Sequence, residues 1–90
     1  MKPIDPSIAS EAIGLVSEDR QKTYGHPSKN FAETARLWSV VLGIEVTATQ
    51  VALCMVQVKI AREIFSPKRD NLVDAIGYLL AYDATESEDK

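Results

Sequence analysis

The sequence contains a single cysteine and a single histidine, which excludes an internal disulfide and a structural zinc site built from those residues. It has no apolar run near the roughly 18 residues of a membrane span. A Gly-rich phosphate loop and a nucleophile elbow are also missing. The first residues lack the apolar stretch of a secretory signal, so we expect a cytoplasmic protein. The 90 residues are therefore expected to form one small domain.

The negative charge is concentrated at one end of the chain. Residues 83–90 hold four acids and one base, whereas residues 1–82 hold nine acids and nine bases. The whole formal net charge of −3 therefore comes from residues 83–90. Such a composition is typical of a solvated tail. We expect a single helical domain over residues 1–82 and a disordered acidic tail over residues 83–90. Since the domain is neutral, binding to DNA or to an anionic membrane is not expected.

The spacing of apolar residues predicts four helices and no strand. Their expected starts are an Asp5-Pro6 cap, Ser28, the Thr47–Gln50 capping box, and Asp70 or Asn71. Their expected ends are residues 19–21, Gly43, Ser66-Pro67 and Asp83. The short connection between the last two helices predicts an antiparallel hairpin. The expected fold is therefore an all-α, four-helix bundle-like domain with a C-terminal helical hairpin.

The third predicted helix is apolar on nearly every side over its first half. A helix of this kind is covered by other helices or by another subunit. We therefore expect this helix to be central and Cys54 within it to be buried. For the same reason we expect a homodimer or a higher homo-oligomer.

The hairpin carries the first candidate site. Three polar residues share one face of the last helix, one turn apart: Asp70, Asp74 and Tyr78. Antiparallel pairing predicts that Arg62 lies level with Asp74 and Lys59 level with Tyr78. Gly77 beside this face suggests a packing or ligand-access role. Two interpretations stay open: salt bridges that orient the two helices, or a ligand site in which Asp70 and Asp74 hold Mg²⁺.

The connection between the first two helices is the second candidate. Residues 20–30 carry three basic side chains and no acid. Backbone N–H groups at the start of a helix attract anions, and an aromatic ring such as Tyr24 stacks on a nucleobase. The segment therefore predicts ligand contacts from Lys22, Tyr24 and Asn30. The alternative is a solvated basic turn.

Five short motifs occur in order along the chain, namely residues 22–25 (KTYG), residues 30–31 (NF), Trp38, residues 59–62 (KIAR) and residues 70–78 (DNLVDAIGY). Over about residues 8–82, this set resembles small phage and prophage proteins of unknown function. These are similar to the nucleotide-modification-associated helical domain, which is distantly similar to MazG-type pyrophosphohydrolases. The MazG-type enzymes bind Mg²⁺ through E-x-x-E and E-x-x-D pairs; Asp70 and Asp74 correspond loosely to the second pair, and the first pair has no counterpart.

The resemblance implies a phage-encoded protein that acts in the host cytoplasm and binds a nucleotide or a nucleotide-derived signal without catalysis. In this interpretation basic side chains contact phosphates and Tyr24 stacks on the base. Two alternatives are a degenerate MazG-like hydrolase of a nucleoside triphosphate, and a module that docks on a host defence protein. The candidate ligand-binding residues are Lys22, Tyr24, Asn30, Lys59, Arg62 and Tyr78, and the candidate metal ligands are Asp70 and Asp74.

Overall fold

A computed structural model describes residues 1–17 and 26–89, which form four helices and contain no strand. The helices are α1 (Ser7–Leu15), α2 (Pro27–Leu42), α3 (Ala48–Phe65) and α4 (Arg69–Asp89). The all-α prediction is confirmed. The last helix, α4, packs against each of the other three and most extensively against α3. None of the described helices has the length and apolar content that a bilayer crossing requires.

The start of α1 agrees with its predicted cap to within one residue. The Asp5 carboxylate accepts hydrogen bonds from the Ser7 backbone N–H at 3.0 Å and from the Ser7 hydroxyl at 2.6 Å. Pro6 already has helical dihedral angles, and assigned helix boundaries vary by a residue. The helix ends at Leu15, and i→i−3 bonds from Val16 and Ser17 tighten the turn that follows. The expected end at residues 19–21 lies outside the described residues.

The start of α2 differs from the prediction because of a proline. His26 caps the helix, and its Nδ1 accepts from the backbone N–H of Ser28 at 3.1 Å. A residue before proline is held in extended conformation, which is the conformation that an N-cap needs. Pro27 therefore takes the first helical position, and the predicted Ser28 cap is wrong. The predicted end is confirmed, since Gly43 closes the helix with a left-handed φ of 71°.

The predicted capping box of α3 is present in full. The Gln50 N–H donates to Thr47 Oγ1 at 3.2 Å, and the Thr47 N–H donates to Gln50 Oε1 at 2.9 Å. At the other end, Glu63 Oε1 accepts from the Lys68 N–H at 2.9 Å and from Asn71 Nδ2 at 3.2 Å. These bonds hold the turn at residues 66–68. Since α4 starts at Arg69, the predicted capping role of Asp70 or Asn71 is wrong.

The core is built from small side chains, so the helices pack closely. The buried apolar residues are Ala12, Ala35, Val51, Ala52, Val56, Val73 and Ala81. The helix α3 packs against both α2 and α4 and contributes three of these buried residues. Cys54 on α3 is exposed, which corrects its predicted burial. Within one chain only the inward side of α3 is covered, although the helix is apolar on nearly all sides.

The last helix continues beyond its predicted end. Composition favoured a helix end near Asp83 and a disordered tail over residues 83–90, whereas α4 runs through Asp89. Ala81 and Thr85, one turn apart, are both buried. These two small side chains place the C-terminal turns of α4 against the bundle, which an acidic composition does not reveal.

A cluster around Arg69 connects the start of α1 to the start of α4. The Arg69 Nε donates to Glu11 Oε2 at 3.0 Å, its Nη1 donates to Asp5 Oδ2 at 3.3 Å, and its Nη2 donates to the Ser7 hydroxyl at 3.0 Å. All three guanidinium nitrogens are thereby used. The cluster fixes where α1 lies on α4.

This cluster predicts a small loss of α1 docking in acid. Hydrogen bonds from Ser7, and then from Arg69, lower the pKa of Asp5 below its ordinary value of 3.8. A lowered carboxyl pKa gives stability that is complete above the ordinary value and is lost as the pH falls through the folded value. We expect the protection of the α1 amides against hydrogen exchange, corrected for the intrinsic rate at each pH, to fall in that range. In Asp5→Asn the acid-dependent change in exchange of the α1 amides should be smaller. An unchanged acid dependence would contradict the role given to Asp5.

Candidate functional site

One ion pair joins the two helices of the hairpin. Lys59 Nζ on α3 lies 3.0 Å from Asp74 Oδ2 on α4, with the side chains 12% and 33% exposed. The predicted pairing of Arg62 with Asp74 is therefore wrong by one helical turn. The physical reason is the connection, which comprises only residues 66–68. Residues at similar distances from it therefore pair, and Lys59 lies six positions before Phe65 while Asp74 lies five positions after Arg69.

An aromatic pair lies one turn farther along α4. The rings of Tyr78 and Phe31 have centroids 6.2 Å apart and are tilted by 37°, within the range of favourable aromatic contacts. Phe31 belongs to α2, so α2, α3 and α4 meet around the Asp74–Tyr78 face. The partner of Tyr78 was missed at the sequence level, although Phe31 begins the apolar stripe of α2.

The described residues do not favour a metal at Asp70 and Asp74. They contain no group of three or more His, Cys, Asp or Glu side chains placed to hold a metal ion. Asp74 is already paired with Lys59, while Asp70 is exposed on the first turn of α4. A Mg²⁺ ion at this pair would have to displace Lys59 from Asp74, and waters or substrate phosphates would have to complete its coordination. The metal role of these residues stays a prediction, and no step below depends on it.

Gly77 takes part in helix packing. A Cβ atom at this position would meet Leu15 Cδ1 of α1 at 3.9 Å, an ordinary van der Waals distance. Gly77 therefore faces Leu15 of α1, next to Asp74, which lies three positions earlier on a neighbouring side of α4. Its predicted role beside a ligand cleft stays a prediction.

A groove of about 630 Å³ lies at the turn of the hairpin, a volume typical of small-molecule sites. We call it the hairpin groove. Its lining residues are Val58, Ala61, Arg62, Phe65, Ser66, Lys68 and Asn71. The lining has two bases and no acid, and the Phe65 ring is 93% exposed. Sequence reasoning missed Phe65, Lys68 and Asn71. The sequence did contain a signal for such a site, because Phe65 is followed within four positions by the two basic residues Lys68 and Arg69.

The predicted ligand-binding residues fall into separate groups. Lys59 and Tyr78 lie on the inner side of the hairpin, each with a partner from another helix. Arg62 lines the hairpin groove. Asn30 is exposed on α2, where its carbonyl accepts from the Thr34 hydroxyl at 3.0 Å. The remaining two, Lys22 and Tyr24, lie outside the described residues, so their ligand contacts stay predictions.

Comparison with known proteins identifies a family. Residues 7–84 match the model of a domain of unknown function, DUF6378. The chain is 41% identical over 73 residues to the Gene 55 protein of Mycobacterium phage D29, covering 80% of this chain and 48% of that protein. The chain thus spans about half the length of this phage relative. No solved structure matches it. The resemblance to small phage proteins is confirmed, whereas the relation to MazG-type enzymes stays a prediction.

Proposed function

The chain belongs to the DUF6378 family, and we propose that it binds a nucleotide or a nucleotide-derived phosphorylated ligand in the hairpin groove without catalysing a reaction. The observation that carries the proposal is the lining of the groove. Two cationic side chains and an exposed aromatic ring line an open, mostly apolar groove, and no carboxylate lines it.

The groove offers complementary groups for each part of such a ligand. Arg62 has no ion-pair partner among the described residues, and a guanidinium binds phosphate oxygens in bidentate fashion. Lys68 adds a second positive charge. The exposed Phe65 ring can stack on a nucleobase, a contact that is worth about 1–3 kcal/mol. The geometry therefore supports recognition of an anionic, aromatic molecule.

Asn71 supports the same proposal by its orientation. Its Nδ2 donates to Glu63 Oε1 and to the Ser66 carbonyl, both at 3.2 Å. These bonds fix the amide plane. Within the described part of the chain, Oδ1 has no donor, so it can accept from a base amino group or a ribose hydroxyl.

The acids near the groove support binding over catalysis. Glu63 accepts hydrogen bonds from the Lys68 N–H and from Asn71, so its Oε1 is engaged in holding the turn. Metal-assisted hydrolysis of a phosphoanhydride needs free carboxylates that hold one or two metal ions. Since the groove lining provides none, binding is the better supported function, and a degenerate hydrolase is the weaker candidate.

A thermal-shift screen with linear and cyclic nucleotides, followed by calorimetry, tests the proposal. A ligand at a hundred times its Kd stabilises the folded state by about 2.7 kcal/mol. We expect Arg62→Ala and Lys68→Ala each to weaken binding by about tenfold or more, because each removes a charge-assisted hydrogen bond. Arg36→Ala, which removes an exposed base from α2, is the control and should bind normally. No shift with any nucleotide, or equal loss in the control, would refute the proposal.

The same assay separates the groove from the earlier candidate residues. If the ligand instead reaches the inner side of the hairpin, Lys59→Met weakens binding more than Arg62→Ala does. If the basic segment between α1 and α2 contributes, Lys22→Ala and Tyr24→Ala also reduce affinity. A full loss in Lys59→Met with normal binding by Arg62→Ala would move the site away from the groove.

Docking on another protein is a second candidate, favoured by a separate exposed cluster. The cluster lies at the C-terminal end of α2 and contains Leu37, Val40, Val41, Leu42 and Ile44. Exposed apolar patches of this kind mark interaction surfaces. Affinity capture from host lysate with the wild type and with Val40→Asp tests this candidate. A host defence protein retained by the wild type and lost with Val40→Asp would support it.

A further inference from the structure

The Asn71 amide has one orientation in the lining of the hairpin groove. Its Nδ2 donates to Glu63 Oε1 and to the Ser66 carbonyl, both at 3.2 Å. Both partners only accept hydrogen bonds, so a flipped amide would bring oxygen against oxygen. Glu63 Oε1 is itself held by the Lys68 N–H at 2.9 Å. This network therefore decides which atom of the amide is left for a ligand.

The atom that is left is Asn71 Oδ1. Among the buried and half-buried residues that the structure describes, only Thr85 has a buried side-chain oxygen or nitrogen without a partner, so Oδ1 is accessible to solvent. Both N–H groups of Nδ2 are used, and Asn71 thus offers a ligand one acceptor and no donor. A free asparagine amide binds adenine through its donor and its acceptor together. That two-bond contact is not available here, so recognition by Asn71 depends on the acceptor alone.

This acceptor lies close to the aromatic residue of the groove. The Ser66 carbonyl that holds the Asn71 amide belongs to the residue directly after Phe65, and the Phe65 ring is 93% exposed. Both Phe65 and Asn71 line the groove, together with the cationic side chains of Arg62 and Lys68. A base that stacks on Phe65 can therefore present its edge to Asn71 Oδ1, and the two cations remain for the phosphates of the same molecule.

We infer that Asn71 determines which nucleobase the groove accepts, with Oδ1 accepting a hydrogen bond from an exocyclic amino group, an assignment that rests on the function proposed above. The ligand class is then nucleotides of amino-substituted bases, such as adenine and cytosine. An amino group projects beyond the ring edge, so it reaches Oδ1 while the ring lies against the apolar lining. In hypoxanthine and uracil a carbonyl oxygen takes the place of the amino group. Two oxygens of like partial charge would then meet, which selects against these bases.

Calorimetry on the wild-type protein tests this assignment with ligands that differ at one position of the purine. AMP carries the amino group, purine riboside monophosphate carries a hydrogen atom there, and IMP carries a carbonyl oxygen. We expect purine riboside monophosphate to bind about fivefold more weakly than AMP, which is the loss of one neutral hydrogen bond, and IMP to bind more weakly still. CMP and UMP form the corresponding pyrimidine pair, and CMP should bind more tightly.

Two results on the wild type would overturn the role of Asn71, and they separate it from the proposed function. If AMP and purine riboside monophosphate bind equally, the groove holds nucleotides but does not read the amino group. If neither AMP nor CMP binds, the role of Asn71 is also wrong, and the thermal-shift screen shows whether the groove binds any other nucleotide.

Asn71→Ala tests whether this side chain causes the discrimination. The variant should bind AMP and purine riboside monophosphate equally, because the acceptor is gone. The ratio of the two affinities is the readout, since loosening of the turn would change both alike. Gln57→Ala removes an exposed amide of α3 that does not line the groove, so it should keep the wild-type ratio. An unchanged ratio in Asn71→Ala would overturn the assignment. So would a weaker binding of 2′-deoxy-AMP that Asn71→Ala abolishes, because Oδ1 would then accept from the ribose.

Discussion

Asp74→Ala should destabilise the fold by about 2 kcal/mol, measured by urea unfolding. The substitution leaves the Lys59 ammonium, which is 12% exposed, without its carboxylate 3.0 Å away. Removing one partner of a buried ion pair costs about 3–5 kcal/mol. The value expected here is lower because Asp74 is one-third exposed and water can reach the site. A loss below about 0.5 kcal/mol, the range of ordinary surface changes, would contradict this account.

Substitution of the other partner, Lys59, should lower the free energy of unfolding by less. Lys59→Met keeps the aliphatic stem that packs between the helices, and the remaining carboxylate of Asp74 is exposed enough to be hydrated. We expect a loss of about 1 kcal/mol. The double variant should be more stable than Asp74→Ala alone, since it no longer buries an unpaired charge. The double-mutant cycle therefore measures the coupling between the two side chains.

These variants also decide between the two interpretations of the hairpin acids. If the Lys59–Asp74 pair only orients α3 against α4, its loss lowers stability and leaves nucleotide affinity unchanged. If the pair belongs to a ligand site, Lys59→Met lowers affinity as well. The geometry favours the first role, because each charged group already satisfies the other.

Local sequence rules located the parts of the fold that depend on local chemistry. The capping box of Thr47 with Gln50 and the left-handed Gly43 were both predicted, because each needs only a few neighbouring residues. That His26 and not Ser28 caps α2 could also have been predicted. The proline between them already restricts the preceding residue to extended conformation.

Features that depend on packing between helices could not be predicted from neighbouring residues alone. The hairpin register was wrong by one turn, because a pattern of apolar residues does not fix where two helices bend back. The predicted burial of Cys54 on α3 was wrong for a related reason. Hydrophobicity shows that a surface must be covered, but it does not show whether the same chain or another copy covers it.

The candidate site was only partly predictable for a physical reason. The sequence pattern of basic residues on one helix facing acidic residues on the next identified Lys59 and Asp74. The hairpin groove instead consists of Phe65, Lys68 and Asn71 around the turn, together with Arg62. Residues at a turn have no periodicity, so only the fold shows that they line one groove.

The C-terminal part of α4 contains a polar group that no described residue satisfies. Thr85 is fully buried, and its Oγ1 has no hydrogen-bond partner among the described residues. A buried hydroxyl without a partner costs about 1–3 kcal/mol. The same side chain contributes a methyl group to packing one turn beyond Ala81. The position therefore combines a favourable apolar contact with an unfavourable polar one.

Thr85→Val should stabilise the protein by about 1–2 kcal/mol, because valine has nearly the same shape and lacks the hydroxyl. Thr85→Ser should destabilise it, since serine keeps the hydroxyl and loses the methyl group. Thr34→Val is the matched control, because the Thr34 hydroxyl donates to the Asn30 carbonyl and its loss brings no gain. Thermal and urea unfolding measure all three. If Thr85→Val destabilised the protein while Thr34→Val did not, Thr85 would have a hydrogen-bond partner in solution, and the last turns of α4 would be packed differently from this fold.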